Sequence, residues 1–382
     1  MKTIFDKFLK GDKVIWIITI VMLCFSLLTV FSFVPVLVKV EGGTPFKYLL
    51  KHFFYVILSF AMMYFVHKSN PKMFSQVSKI AMLVGIGMLL LTIISPTEVN
   101  SAKRWVKIPF TSLTFQASDL AKVTLIMYLS RQLAKRKDQF LDWKEGFIPI
   151  MGPILLTVGL IVKDNFSTAA IVLALAVTML FIGKYPLSRI FLVFGVVVGV
   201  GAAAYGVHKA FPEKNLLPRL TTWENRILHK IDDDDNVIEN AQVTNAKLAI
   251  YNGGIIGQGV GDGKLKEYLP EAYADFYYSS FVEEFGAISA ILLVLLYLII
   301  LYRMIRIGLR STSLFETYLC IGIGILLTTQ ATVNMLVCTG IFPVTGQNMP
   351  LLAMGGSALM MTCMAIGMVQ AIAAKNNLGP KD

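Results

Sequence analysis

Apolar residues along this chain gather into long runs, broken by short polar stretches. The runs fall at about 14–35, 48–66, 78–95, 118–134, 147–162, 168–183, 189–207, 276–302, 313–339 and 355–374. Most approach the roughly 17–25 residues that an α-helix needs to cross a bilayer. The pattern predicts an all-α polytopic membrane protein of about ten transmembrane helices, folded as one domain over residues 1–382. The fifth and sixth runs are short, with only Lys163-Asp164-Asn165-Phe166-Ser167 between them. The first run exceeds a signal-peptide core and lacks a small-residue cleavage site, so it is predicted to stay as a helix.

Composition excludes a soluble domain. The chain is 55% hydrophobic and 15% charged, against roughly 25% charged in soluble proteins. Its +11 net charge is largely a topology signal. With the N-terminus inside, nineteen Lys and Arg fall on the cytoplasmic side and seven in the short outer loops. The positive-inside rule then places both termini in the cytoplasm. The long polar stretch 208–275, between helices 7 and 8, becomes a large extracytoplasmic loop. The basic residues are dispersed among short loops, which argues against nucleic acid. Cys24, Cys320, Cys338 and Cys363 lie in or beside apolar runs without metal-ligand spacing, and are predicted to be small core residues. No metal-binding residue set is predicted.

The 208–275 loop has distinct parts. An interfacial helix is expected around Trp223 to Leu228, followed by the acidic run Asp232 to Asp235. Residues 240–252 are predicted as a short amphipathic helix with Val243, Leu248 and Ile250 on its apolar side. The glycine-rich segment 253–264 is not a phosphate loop: Gln258 stands where a Walker motif needs Gly, and Leu265 where it needs Ser or Thr. A turn that holds backbone close to the membrane surface is expected there.

Charges against apolar runs are costly and cluster at functional or packing sites. Asp119 and Lys122, three apart, can pair on one helix face. Lys163-Asp164 sits between two short helices, and Lys103-Arg104-Trp105 in an outer loop close to helix four. Asp275 closes the polar loop, with Glu283 and Glu284 two turns further along helix eight. The two glutamates are expected to organise packing. Residues 340–356 hold Pro343, Gly346, Pro350, Gly355 and Gly356 and cannot form a plain helix. Irregular backbone at membrane depth lines protein or a wet cavity. A polar cleft is therefore predicted at the outer ends of helices nine and ten, with Asn334, Thr345 and Ser357 supplying hydrogen bonds.

These strings carry a family resemblance. LPEAYADF with EEFG, NMLVCTGIFPVTGQNMP with GGS, and SAKRWVKIPF with FQASDLAK resemble, in order, the motifs of the SEDS (FtsW/RodA) family of shape, elongation, division and sporulation proteins. The resemblance runs from about residue 10 to 375. KEYLPEA is closer to the cell-division branch.

The resemblance implies an inverting peptidoglycan glycosyltransferase in the bacterial cytoplasmic (inner) membrane. Its implied substrate is lipid II, the undecaprenyl-pyrophosphate-linked disaccharide peptide. Its implied partners are a class B penicillin-binding protein transpeptidase and other division proteins. Asp275 matches the family's essential loop acid, here a general base. Lys103, Arg104, Trp105, Gln116, Ser118, Lys122, Asn334, Thr345 and Ser357 match motif positions and are expected to bind substrate. A divalent cation, Mg or Mn, is an expected aid to the leaving diphosphate.

The chain departs from the family pattern at Tyr273-Ala274, where His-Thr is usual, and at Ala353-Met354, where Ser-Tyr is usual. It departs also at Asp119 for Glu, and at Asp164-Asn165, where the usual acid is displaced by one. A lipid-linked precursor flippase and a non-catalytic division scaffold are the competing functions.

Overall fold

The computed structural model describes residues 8–94, 97–99, 102–107, 114–210, 237–269 and 272–376. The expected interfacial helix near Trp223 and the acidic run Asp232 to Asp235 lie outside the described residues. Helices α1 (Lys13–Glu41), α2 (Pro45–His67) and α3 (Pro71–Ile94) open the chain. Strands β1 (Thr97–Val99), β2 (Ala102–Lys107) and β3 (Thr114–Gln116) follow. Then come α4 (Ala117–Lys135), α5 (Ile148–Val162), α6 (Phe166–Ile182), α7 (Leu187–Ala210) and α8 (Val237–Gly253). The chain ends with α9 (Tyr277–Leu309), α10 (Leu314–Cys338) and α11 (Gly356–Lys375). A helix stands at each of the ten predicted spans, and α8 is the predicted loop helix.

This is a multi-pass membrane protein. Among the described residues, α1, α2, α3, α5 with the π-turn before it, α9, α10 and α11 are long and apolar enough to cross a bilayer. Helix α6 and the start of α7 are shorter apolar helices. Helix α4 carries Ser118, Asp119, Lys122, Thr124, Ser130 and Gln132, and all six are buried. Polar residues can occupy a central helix only when neighbouring helices satisfy them. Large apolar side chains such as Phe53, Leu83, Phe191 and Ile291 face outward, as a lipid-facing surface requires.

Close helix approach depends on a few glycines. A Cβ on Gly367 would stand 2.8 Å from the Met63 carbonyl oxygen, and one on Gly356 would stand 2.4 Å from the Tyr55 ring. These two contacts seat α11 against α2. At one end of the bundle, Asp12 caps α1 by accepting from the Ile15 N–H at 3.1 Å. It also pairs with Arg303 of α9, and its backbone carbonyl accepts from Gln370 Nε2 of α11 at 2.9 Å. Residues near both termini therefore meet at the same end. On the loop into α5, the Glu145 and Lys144 backbone N–H groups donate to Asp142 and hold its carboxyl below the usual range.

Three expectations need correction. Residues 102–107 are not plain loop: β2 pairs antiparallel with β1 and β3, with Trp105 opposite Gln116. Trp105 and Val106 are residue types that suit a pleated surface, but the run is too short to stand out beside the helical periods. Helix α8 buries Ala246 and Ala249 and leaves Leu248 exposed, because it lies so close to α9 that only small residues fit: a Cβ on its Gly253 would stand 2.1 Å from the Val282 carbonyl oxygen. Cys24 is exposed, whereas Cys320, Cys338 and Cys363 are buried.

Candidate active site

Asp275 lies in a turn just before α9 and is half-buried. An acid at a helix start is usually an N-cap. Here the cap position is Phe276, one residue after Asp275. Its neighbours are anchored. Phe276 and Tyr277 are buried, and the Tyr277 hydroxyl donates to Thr29 Oγ1 of α1 at 2.7 Å. The Met354 N–H donates to the Tyr273 carbonyl at 3.1 Å. Tyr273-Ala274 and Ala353-Met354, two departures from the family pattern, thus meet in the structure. Their link is a backbone hydrogen bond, which constrains neither side chain.

Asn334 of α10, fully buried, ties this turn to the irregular segment. Its amide nitrogen donates to the Asp275 carbonyl at 3.0 Å and the Gln347 carbonyl at 2.8 Å, with the Ala274 carbonyl at 3.4 Å. Its amide oxygen accepts from the Tyr278 N–H at 3.4 Å. The side chain is engaged by protein at both its nitrogen and its oxygen, so Asn334 positions backbone. Gln347 continues the chain of contacts, donating from Nε2 to Thr168 Oγ1 of α6 at 2.6 Å.

Gln347 also lines a partly open cleft of about 470 Å³. Gln116, Asp119 and Lys122 of α4 and its start, Gln330 of α10, Gly346, Asn348 and Pro350 of the irregular segment, and Thr362 of α11 line it too. The irregular 340–356 backbone does border a cleft. It turns through Gly346 at φ 68° and Leu351 at φ 65°, and a Cβ on Gly355 would stand 2.7 Å from the Asn348 amide.

Inside the cleft wall, Lys122 Nζ pairs with Asp119 Oδ1 at 2.9 Å, both side chains buried. Ser357 donates to Asp119 Oδ2 at 3.1 Å and accepts from the Gln116 N–H at 3.3 Å. Lys122 is therefore half of a neutral pair. This is the pairing their three-residue spacing predicts, and a phosphate reaching Lys122 competes with Asp119.

Other predicted residues separate. Ser118 lines a second cleft of about 270 Å³ with Thr92, Asp164 and Asn165. Gln116 and Ser118, two residues apart at a helix start, point in different directions and so face different clefts. Thr345 is half-buried and does not line the first cleft. Trp105 is half-buried on β2, paired to cleft-lining Gln116. Lys103 and Arg104 lie on the same strand; their side chains lie outside the described residues.

A further cluster was only partly legible. Helix α9 breaks at Gly286, whose φ is 78°. The glycine-rich loop fills the break with backbone. Gln258 and Gly259 N–H groups donate to the Glu283 and Glu284 carbonyls, and Ala287 and Ile288 N–H groups donate to the Gly254 and Ile255 carbonyls. The expected surface turn is thus a backbone plug, because a Cβ at Gly257 would stand 2.3 Å from the Glu284 carbonyl oxygen. Beside it Lys266 Nζ pairs with Glu284 Oε1 at 2.7 Å and donates to the Gly261 carbonyl at 3.1 Å and to Ser32 of α1. Glu283 Oε1 accepts from the Lys264 and Leu265 N–H groups. The paired acids and the glycine inside an apolar run were the sequence signal; basic Lys266, ten residues outside it, gave none.

Among the described residues, no group of three or more His, Cys, Asp or Glu side chains is placed to hold a metal ion.

The profile of the FtsW/RodA/SpoVE family, described as "Cell cycle protein", matches residues 12–378. A probable peptidoglycan glycosyltransferase FtsW of Geobacter sp. (strain M18) is 30% identical over 94% of this chain and 95% of its own. The FtsW of the same description from Coxiella burnetii is 30% identical over 95% of this chain and 96% of its own. Among solved structures, a chain from a peptidoglycan synthase complex that coordinates polymerization and crosslinking superposes with TM-score 0.71 at 21% identity, covering 96% of this chain and 98% of that one. The rod shape determining protein RodA of Thermus thermophilus gives TM-score 0.65 at 20% identity, covering 96% and 98%. With the profile spanning nearly its whole length, the chain belongs to the SEDS (FtsW/RodA/SpoVE) family, as an FtsW-like member.

Proposed function

We propose that this SEDS glycosyltransferase polymerises lipid II into glycan strands on the outer face of the bacterial cytoplasmic membrane during cell division. Both termini then face the cytoplasm, in keeping with the distribution of Lys and Arg. The observation that carries the reading is Asn334: one buried side chain holds both the Asp275 turn and the Gln347 backbone that lines the cleft. A half-buried carboxylate and a polar cleft are thus fixed to one rigid point.

Chain growth requires a sugar hydroxyl to attack the anomeric carbon of a lipid-linked partner. The new C–O bond forms as the bond to the lipid diphosphate breaks. Asp275 takes the hydroxyl proton as general base, and a single displacement inverts the anomeric centre. The departing diphosphate gathers negative charge, which cations must offset. Lys122 does so by exchanging Asp119 for phosphate oxygen; Lys103 and Arg104, on the strand paired to Gln116, are placed in sequence to assist. A Mg or Mn ion enters only as one held mainly by the substrate's own diphosphate, the usual habit of Mg, and no step depends on it.

A class B penicillin-binding protein transpeptidase is the proposed partner, supported by the synthase complex whose chain shares this fold. The test is polymer formation from lipid II by the purified protein in liposomes, with and without that partner. Asp275→Ala should abolish polymer and keep folding and partner binding. Polymer formed at the wild-type rate would sink the general-base assignment. Lipid scrambling without polymer favours a flippase, and full complementation of cells by Asp275→Ala favours a scaffold.

A further inference from the structure

The backbone plug in α9 leaves an apolar strip on its outer side. Ile255 and Ile256 are 70% and 82% exposed, and Tyr251, one turn earlier on α8, is 81% exposed. Leu248, a further turn back, is 44% exposed. Substituting polar residues there would cost the bundle no packing, so the strip is not explained by the protein interior.

Its depth follows from length. The second half of α9 runs from Ala287 to Leu309. Its apolar part, before Arg303, covers about 24 Å at about 1.5 Å per residue, most of a hydrocarbon core of about 30 Å. The break at Gly286 therefore lies near one membrane boundary. The Ala287 and Ile288 N–H groups donate to the Gly254 and Ile255 carbonyls, which sets Ile255 and Ile256 at that same level. The strip is continuous with outward-facing Ile288 and Ile291 of α9, 62% and 63% exposed. Tyrosine at such a level matches the aromatic belt at membrane–water interfaces.

We propose that Leu248, Tyr251, Ile255 and Ile256 form a membrane-surface anchor that inserts into the headgroup–acyl boundary of the adjoining leaflet. The occupant is bilayer phospholipid, since the strip extends a lipid-facing helix surface at the depth where lipid begins. The anchor holds the loop in register with the bilayer through the plug. Lys266 and Leu269, which lie between the plug and the Asp275 turn, are buried and carry that register onward. On the function proposed above, Asp275 then stays at the level where a lipid-linked diphosphate emerges.

The test is power-saturation electron paramagnetic resonance on the full chain in phosphatidylethanolamine–phosphatidylglycerol nanodiscs. Cys24 is exposed and the other three cysteines are buried, so Cys24→Ser gives the labelling background. A nitroxide is placed through Ile256→Cys, with Ile291→Cys as the lipid control and exposed Asp262→Cys as the water control. Label at position 256 should show high oxygen and low nickel-complex accessibility, grouping with position 291. Grouping with position 262 overturns the anchor. Shielding from both reagents, or a lipid signature that appears only on adding the transpeptidase, assigns the strip to a protein partner and equally overturns it. The readout needs no activity, so it stands or falls separately from the role of Asp275; labelling Tyr251→Cys in parallel covers failure of the first variant to fold.

Discussion

Asn334→Ala should lower both stability and turnover while sparing substrate affinity. The amide donates at 2.8 Å to the buried Gln347 carbonyl and at 3.0 Å to the partly buried Asp275 carbonyl. Truncation leaves both acceptors without that donor. An unsatisfied buried acceptor costs about 1–3 kcal/mol. One of the two is partly wet, so the expected loss is about 2–4 kcal/mol. The Asp275 turn then drifts, and a misplacement of about 1 Å can cost about 10²-fold in rate. The assays are thermal unfolding in nanodiscs and lipid II polymerisation at varied substrate. The expected result is kcat down about 10²-fold with KM unchanged. Asn334→Asp, which replaces the donors with a carboxylate facing three carbonyls, should do no better. Adding Asn334→Ala to Asp275→Ala should lower turnover no further, since both act through one acid. A raised KM with kcat intact would refute the argument and restore Asn334 as a substrate ligand.

The buried Lys266–Glu284 pair predicts a contrast between single and double changes. Lys266→Met strands the Glu284 carboxylate and should cost about 3–5 kcal/mol in thermal or denaturant unfolding, whereas Lys266→Met with Glu284→Leu should recover most of it. Equal losses would show that the charge is not the cause. Gly286→Ala should abolish stable expression, because its φ is 78° and the new Cβ meets the Ile256 carbonyl carbon at 2.4 Å. Gly261→Ala, also at positive φ but in open space, should cost only about 1–2 kcal/mol, which expression level and unfolding temperature would separate.

Helix placement was legible because a bilayer demands long apolar runs, and the runs were the helices found. Helix α4 was legible for the same reason, although its polar residues made it the least apolar. What escaped was close range. The strand at 102–107 was hidden because its pairing partners are set by contact rather than by period. The plug in α9 was hidden because a glycine in an apolar run reads equally as a packing contact. Asn334 was noticed as an unusual polar residue, but its role depended on which carbonyls surround it.

The sequence by itself determined a many-helix membrane protein, the irregular 340–356 segment, the charges that needed explaining and the family whose motifs they match. These follow from local rules: run length, proline and glycine chemistry, and the cost of charge in lipid. Tertiary structure alone decided that Ser357 joins the Asp119 carboxylate to the start of α4, that Gln116 and Ser118 serve different clefts, and that one asparagine fixes both the Asp275 turn and the cleft wall. Those assignments rest on contacts between residues up to 241 positions apart, and no local pattern encodes which distant carbonyl or carboxylate a polar side chain will meet.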